Sequence, residues 1–295
     1  MLNIIGRRKI FFIFSSVLII LSITAVAKWG LNFSIDFTGG AISEISFGAR
    51  PDNKALSEAL DGLDLGNITI TPSGANEVLI RTKTLDEETH QKMINSVAKK
   101  FPDAKESRFD SIGPAIGKEL KQKSIWAIFM VLLGISFYVS WAFRKVSKPI
   151  SSWKYGMVSV ATLFHNIIIP IGVFSVLGHY KGVQIDLPFI AATLTILGYS
   201  INDTIVVFDR TRENLLRRDI GEFEETVNRS VNQTLVRSVI TSMTVIIVLL
   251  ALYFFGGETL RYFALALLIG IITGTYASIF IASPLLVEWQ KRSEK

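Results

Sequence analysis

No cysteine occurs in the 295 residues, so disulfides and thiol chemistry are excluded and nothing marks a redox compartment. Histidine is scarce. His90, His165 and His179 stand apart, without the spacing that gathers metal ligands. No GxxxxGK[ST] loop occurs, which argues against nucleotide hydrolysis by this chain. No metal, organic cofactor or bond-making enzymatic activity is expected. Charge is missing from long stretches. Hydrophobic residues make up 49% of the chain and the mean hydropathy is +0.42. With several uninterrupted apolar runs, that is too apolar for an ordinary soluble protein of this size. The net charge is +6, but the basic residues flank the apolar runs. This is the pattern of a membrane protein rather than of a nucleic-acid binder.

Six apolar segments are long enough to cross about 30 Å of hydrocarbon at about 1.5 Å per residue. They fall near residues 10–27, 125–143, 155–177, 187–208, 238–255 and 262–287. Arg7, Arg8 and Lys9 precede the first. Arg144, Lys145, Lys148 and Lys154 lie between the second and third. Arg210, Arg212, Arg217, Arg218 and Arg229 lie between the fourth and fifth, and Lys291, Arg292 and Lys295 close the chain. The opposite short loops carry only Lys181 and Arg261. Positive charge on one side places both termini in the cytoplasm. The basic start, the apolar run and Ala25-Val26-Ala27 also look like a cleavable leader, but the run is longer than most leader cores, which favours a retained first helix.

One loop differs in size. From Lys28 to Lys123 it is polar and falls on the outer face, where long domains translocate regardless of their charge. Its pattern reads as strand 41–47, helix 53–60, strand 68–72, strand 77–82, helix 87–101 and strand 105–112, with Asp52 and Asp86 as N-caps. The order βαββαβ predicts a ferredoxin-like sandwich. The expected fold is an α-helical membrane protein of six transmembrane helices with an inserted α+β, ferredoxin-like extracytoplasmic domain. The expected boundaries are 1–29 for the N-terminus and first helix, 30–123 for the outer domain and 124–295 for the remaining five helices.

Asp203 is the one charge between Leu187 and Phe208. A carboxylate in hydrocarbon costs several kcal/mol unless it is protonated, paired or wet, so such a group is a functional candidate. Counting from Leu187, Asp203 lies 203 − 187 = 16 residues in, about 24 Å. Counting from Phe255, Arg237 lies 255 − 237 = 18 residues in, about 27 Å. The similar depths predict that the two can pair if the fourth and fifth helices are adjacent. Switching between paired-ionised and unpaired-protonated states would couple a proton to conformation; a static ion pair ordering the helices is the plainer alternative. Arg237, Thr241 and Thr244 share one face at i, i+4, i+7. With Ser200 and Asn202 they suggest a wet polar path, although interhelical hydrogen bonding also explains them. His165, beside Asn166 in mid-span, is either a proton shuttle or a satisfied buried histidine. Gly270, Gly274 and Ser278 form a ridge of small residues suited to close helix packing. Gly39 and Gly40 suggest a tight turn into the outer domain, and with Asp36 a hinge carrying membrane motion outward.

Three stretches carry a family resemblance: GYSINDTIVVFDRTREN at 198–214, IDFTGG at 35–40 and RSVITS at 237–242. With the span count and the position of the outer domain, the chain resembles the SecF family over nearly its whole length. These are membrane subunits of the bacterial and archaeal protein-export machinery, within the resistance-nodulation-division superfamily. His165-Asn166 departs from the His-Asp that relatives often carry. The resemblance implies a partnership with SecD and the SecYEG channel, an unfolded preprotein as cargo, and a location in the plasma membrane. It implies that proton or sodium flow through the membrane part, with Asp203 and Arg237 as coupling residues, drives late export. A small-molecule or lipid exporter of the same superfamily, or a non-transporting scaffold of the channel, are the competing readings.

Overall fold

A run of twenty apolar residues in lipid satisfies its own backbone only as a helix. Six helices of the computed structural model are long and apolar enough to cross a membrane, one on each predicted run. The structure describes residues 1–144, 150–216 and 222–293. Of the orienting basic residues, Lys145, Lys148, Arg217, Arg218 and Lys295 lie outside the described residues. In chain order the elements are α1 (Arg8–Trp29), α2 (Ile35–Thr38), β1 (Gly40–Ser46), α3 (Asn53–Leu60), β2 (Thr69–Ser73), β3 (Glu77–Thr82), α4 (Glu87–Lys100) and β4 (Lys105–Ile112). The long helices follow: α5 (Pro114–Ala142), α6 (Ser152–Lys181), α7 (Leu187–Leu216), α8 (Phe223–Phe255), α9 (Glu258–Ala277) and α10 (Ser283–Ser293). A π-helical turn, Ser278–Ala282, joins α9 to α10. Two compact units result: Met1–Asn32 with Trp126–Lys295, and Phe33–Ile125.

In the second unit the strands form one antiparallel sheet in the order β2-β3-β1-β4, the ferredoxin-like arrangement. β1 sits centrally, with Ala41 opposite Thr82 of β3 and Gly40 opposite Ile112 of β4. Alternation sends Ala41, Ile45, Val78 and Ile80 to one face, where Leu56 and Leu60 of α3 and Met93 and Val97 of α4 cover them. Asp86 caps α4, accepting the Thr89 N–H at 2.9 Å. Asp52 occupies the N-cap of α3 without a side-chain cap bond.

The stretch read as a tight turn is a single helical turn, α2, with Ser34 Oγ accepting the Asp36 N–H at 3.2 Å. Gly39 follows at φ +75° and Gly40 at φ +134°. A Cβ on Gly39 would also lie 2.7 Å from Pro114 Cα, and one on Gly117 would lie 2.9 Å from the Gly39 nitrogen. Gly39 is therefore required both for its dihedrals and for the close approach of the first turn of α5, Gly40 for its dihedrals, and Gly117 for the approach alone.

In the membrane unit α6, α7 and the α9–α10 run hold most of the buried positions. Tyr155, Leu197, Phe208 and Leu286 anchor one core cluster there. α1, α5 and α8 leave many apolar side chains exposed, among them Ile13, Phe137 and Ile240, as lipid contact allows. The N-terminal segment is tied down by α8. Asn228 Oδ1 accepts the N–H groups of Ile4 and Ile5 at 3.0 and 3.1 Å, and its Nδ2 donates to the Leu2 carbonyl at 3.0 Å. Asn232 holds both backbone groups of Leu2, at 2.8 and 2.9 Å. Ile4 and Ile5 bury among Val207, Val227, Val231, Ile279 and Val287.

Candidate intramembrane polar site

The inward face of α7 is a stripe at three- and four-residue spacing: Phe189, Ala192, Thr193, Ile196, Ser200, Asp203, Thr204, Val207 and Thr211. Asp203 is only 5% exposed. Its carboxylate accepts a hydrogen bond from Ser242 of α8, Oγ to Oδ2, at 3.5 Å. Ser242 Oγ also lies 2.5 Å from Thr275 Oγ1 of α9. A hydroxyl has one proton to give. When Ser242 gives its proton to Asp203, Thr275 must donate to Ser242. A relay Thr275 to Ser242 to Asp203 thus ties three helices to one acid.

A second polar group is held on α6, α7 and the π turn. Asn166 Nδ2 donates to Ser200 Oγ at 2.5 Å, and His165 Nδ1 lies 3.0 Å from Asn166 Oδ1. An amide oxygen only accepts, so the imidazole proton sits on Nδ1. His165 Nε2, buried, has no hydrogen-bond partner among the described residues. The His165 ring stacks at 6.2 Å on Tyr276, whose hydroxyl donates to the Phe11 carbonyl at 3.1 Å. Ser278 Oγ donates to the Ser200 carbonyl at 3.2 Å and meets Thr204 Oγ1 at 2.9 Å. The π turn begins at this serine, and such turns recur at functional sites.

Small residues permit the approach. A Cβ on Gly274 would lie 3.1 Å from Ser200 Cβ and Oγ, and one on Gly270 would meet Ile196 at 2.1 Å. The predicted ridge therefore packs on α7 of the same chain.

Of the residues chosen from sequence, the structure brings Asp203, Ser200 and His165 into the buried interior. Arg237, Thr241 and Asn202 lie on exposed faces. No ion pair joins Arg237 to Asp203 among the described residues; the contact of the carboxylate is Ser242. The reason is helical phase. The inward face of α8 runs through Thr234, Ser238, Ser242 and Leu249, and Arg237 falls off it. Thr241 and Thr244 spend their hydroxyls on the carbonyls of their own helix, at 3.0 and 2.7 Å. Their phase leaves them off the buried Thr275–Ser242–Asp203 relay. Asp36, Gly39 and Gly40 belong to the second unit. Sequence reasoning missed Ser242 and Thr275. The available signal was that Ser242 stands four residues after Ser238, on the same face as Thr234.

One acid, one imidazole, an amide and several hydroxyls give these groups the chemistry to hold and pass a proton. Among the described residues, no three His, Cys, Asp or Glu side chains converge as a metal site would need.

Residues 92–292 match the family described as protein export membrane protein SecD/SecF, C-terminal. The protein translocase subunit SecF of Thermobaculum terrenum is 41% identical over 99% of this chain and 95% of that protein. The corresponding subunit of Anaerolinea thermophila is 38% identical over 98% of this chain and 94% of that one. Among solved structures, SecDF of Thermus thermophilus, a translocon-associated membrane protein, superposes with a TM-score of 0.85 at 36% identity. The match covers 99% of this chain but only 39% of that longer one. A SecDF structure in a super-membrane-facing form gives a TM-score of 0.70 at 37% identity.

Proposed function

The chain belongs to the SecD/SecF family of protein-export membrane proteins, among its SecF subunits, and on that premise we propose that it couples ion entry to preprotein export, with Asp203 as the group that exchanges the ion. The observation that carries this reading is a buried carboxylate whose contacting partner is a hydroxyl rather than a cation. An ionised Asp203 accepts a hydrogen bond from the Ser242 hydroxyl and holds the relay pointing toward α7. A protonated Asp203 becomes a donor and frees Ser242 to donate to Thr275. Proton exchange therefore reverses the bonding between α7, α8 and α9, so a chemical event selects between two arrangements of packed helices. Arg237, exposed on α8, is in this reading a secondary member of the site and not the contact of Asp203. One charge crossing 100 mV supplies about 2.3 kcal/mol, enough to bias such an equilibrium more than tenfold.

The partners in this reading are a SecD chain, the SecYEG channel and the emerging preprotein. The membrane in this reading is the plasma (inner) membrane, and the flanking basic residues favour cytoplasmic termini. The Asp36, Gly39 and Gly40 segment serves as the hinge, since the two glycines can rotate where other residues cannot. In inverted vesicles, Asp203→Asn is expected to leave ATP-driven export intact and abolish its stimulation by a proton gradient. Undiminished stimulation would favour a scaffold that steadies the channel without passing ions.

A further inference from the structure

At the basic end of the membrane unit, a cavity of about 540 Å³ lies between the start of α1 and the end of α10. Its lining is graded along the helix axes. Going inward from the helix ends, Arg8, Lys9 and Arg292 come first, Trp289 and Glu288 about a turn further along α10, and Phe12 and Leu285 deepest, as an apolar floor. Three cations and one carboxylate leave the mouth with a net charge of about +2.

Those charges are not equivalent. Arg8 is a strut: its Nη1 donates to Glu224 at 2.7 Å, its Nε donates to Glu288 at 3.1 Å, and its side chain is largely covered. Glu288 also receives Arg292 Nε at 3.3 Å. Its single charge is thus shared between two guanidinium groups. Lys9 forms no ion pair among the described residues, and the Arg292 side chain is 78% exposed. Trp289 is held upright by an edge-to-face contact with Trp153 at 5.2 Å, and tryptophan at this level marks the headgroup zone of a bilayer.

We propose that this cavity binds one anionic phospholipid of the cytoplasmic leaflet, its phosphate between Lys9 and Arg292 and its first acyl carbons on Phe12 and Leu285. A cationic mouth over an apolar floor, with the change from one to the other along the membrane normal, matches the polarity profile of a phospholipid. Basic pockets between helices on this side are the usual seats of anionic headgroups. The volume suits a headgroup rather than a lone ion. A free phosphate would use the mouth and gain nothing from the floor. A lipid in this place would brace α1 against α10 beside the Arg8–Glu224–Glu288 cluster.

The test is native mass spectrometry of the full chain titrated with phosphatidylglycerol or phosphatidylcholine. Each cation at a lipid surface is worth about 1 kcal/mol, or about fivefold, so the wild type is expected to prefer the anionic lipid about thirtyfold. The double variant Lys9→Gln with Arg292→Gln should lose that preference, whereas Lys28→Gln at the far end of α1 should keep it. Leu285→Trp fills the floor without touching charge, and it should weaken both lipids if the double variant proves too unstable to measure. Equal binding of the two lipids by the wild type, or a preference that survives the double variant, would overturn the proposal. Displacement of the lipid by millimolar inorganic phosphate would assign the mouth to a free anion and also overturn it.

Discussion

Asn228 clasps the start of the chain at the basic end. Its carbonyl oxygen accepts two successive backbone N–H groups, those of Ile4 and Ile5, while its amide nitrogen holds the Leu2 carbonyl. Ile4 is 3% exposed and Ile5 is fully covered. Asn228→Ala removes the acceptor and leaves two donors unmatched. An unsatisfied buried donor costs about 1–3 kcal/mol, and the nearby aqueous boundary puts each of these at the lower end. The segment should then lose about 2 kcal/mol of closing free energy, a factor of about 30 in its open population. Asn232→Ala is the internal control. It loses three bonds, two to Leu2 at the exposed tip and one to the Asn228 carbonyl of its own helix, and leaves no buried donor unmatched, so its effect should stay within about 0.5 kcal/mol. Hydrogen–deuterium exchange of the Ile4 and Ile5 amides reads the difference directly. About thirtyfold faster exchange in Asn228→Ala, with little change in Asn232→Ala, is the expected result. Equal acceleration in both variants, or none in either, would refute the claim that one buried carbonyl holds the segment.

Gly274→Leu should force α9 off Ser200 and strain its bond to Asn166. Overpacking of this kind costs about 1–3 kcal/mol, so a lower melting temperature in detergent and weaker gradient-stimulated export are expected; wild-type values of both would count against the close approach. Asp86 provides a pH signature in the outer unit. Thr89, through its side-chain hydroxyl first and its backbone N–H second, holds the Asp86 carboxyl below the ordinary carboxylate range. A depressed acid contributes stability above its unfolded value of about 3.9 and loses that contribution as pH falls through the folded one. Asp86→Ala should therefore melt earlier than wild type at pH 7, with the gap narrowing below about pH 4; a gap of unchanged size at pH 3 would refute the assignment.

Much of this molecule is written in its local pattern. Twenty apolar residues can cross a bilayer in one way, so the six spans follow from run length. In the outer unit one face of the sheet meets the core and the other does not, so Val78, Ile80 and Thr82 alternate legibly with Leu79 and Arg81. Asp203 was legible for the same reason, as a carboxylate inside an apolar run has few reasons to be there. Gly39 and Gly40 signalled a backbone that only glycine adopts, though not that Pro114 would press on it.

What the order of residues determined by itself was the number of spans, the βαββαβ unit and the presence of one intramembrane acid. Only the tertiary structure decided which partner that acid meets. α8 packs through a line of small hydroxyl residues, Thr234, Ser238 and Ser242, and turns apolar side chains outward, so hydropathy alone does not say which side faces the protein. Ser242 turns inward and Arg237 outward because of how α8 seats on α7 and α9. The Asn228 clasp and the union of Ser200 with Asn166 and Ser278 have the same origin. They join residues far apart in the chain, and no local periodicity encodes which of many hydroxyls and amides will face each other once the helices have packed.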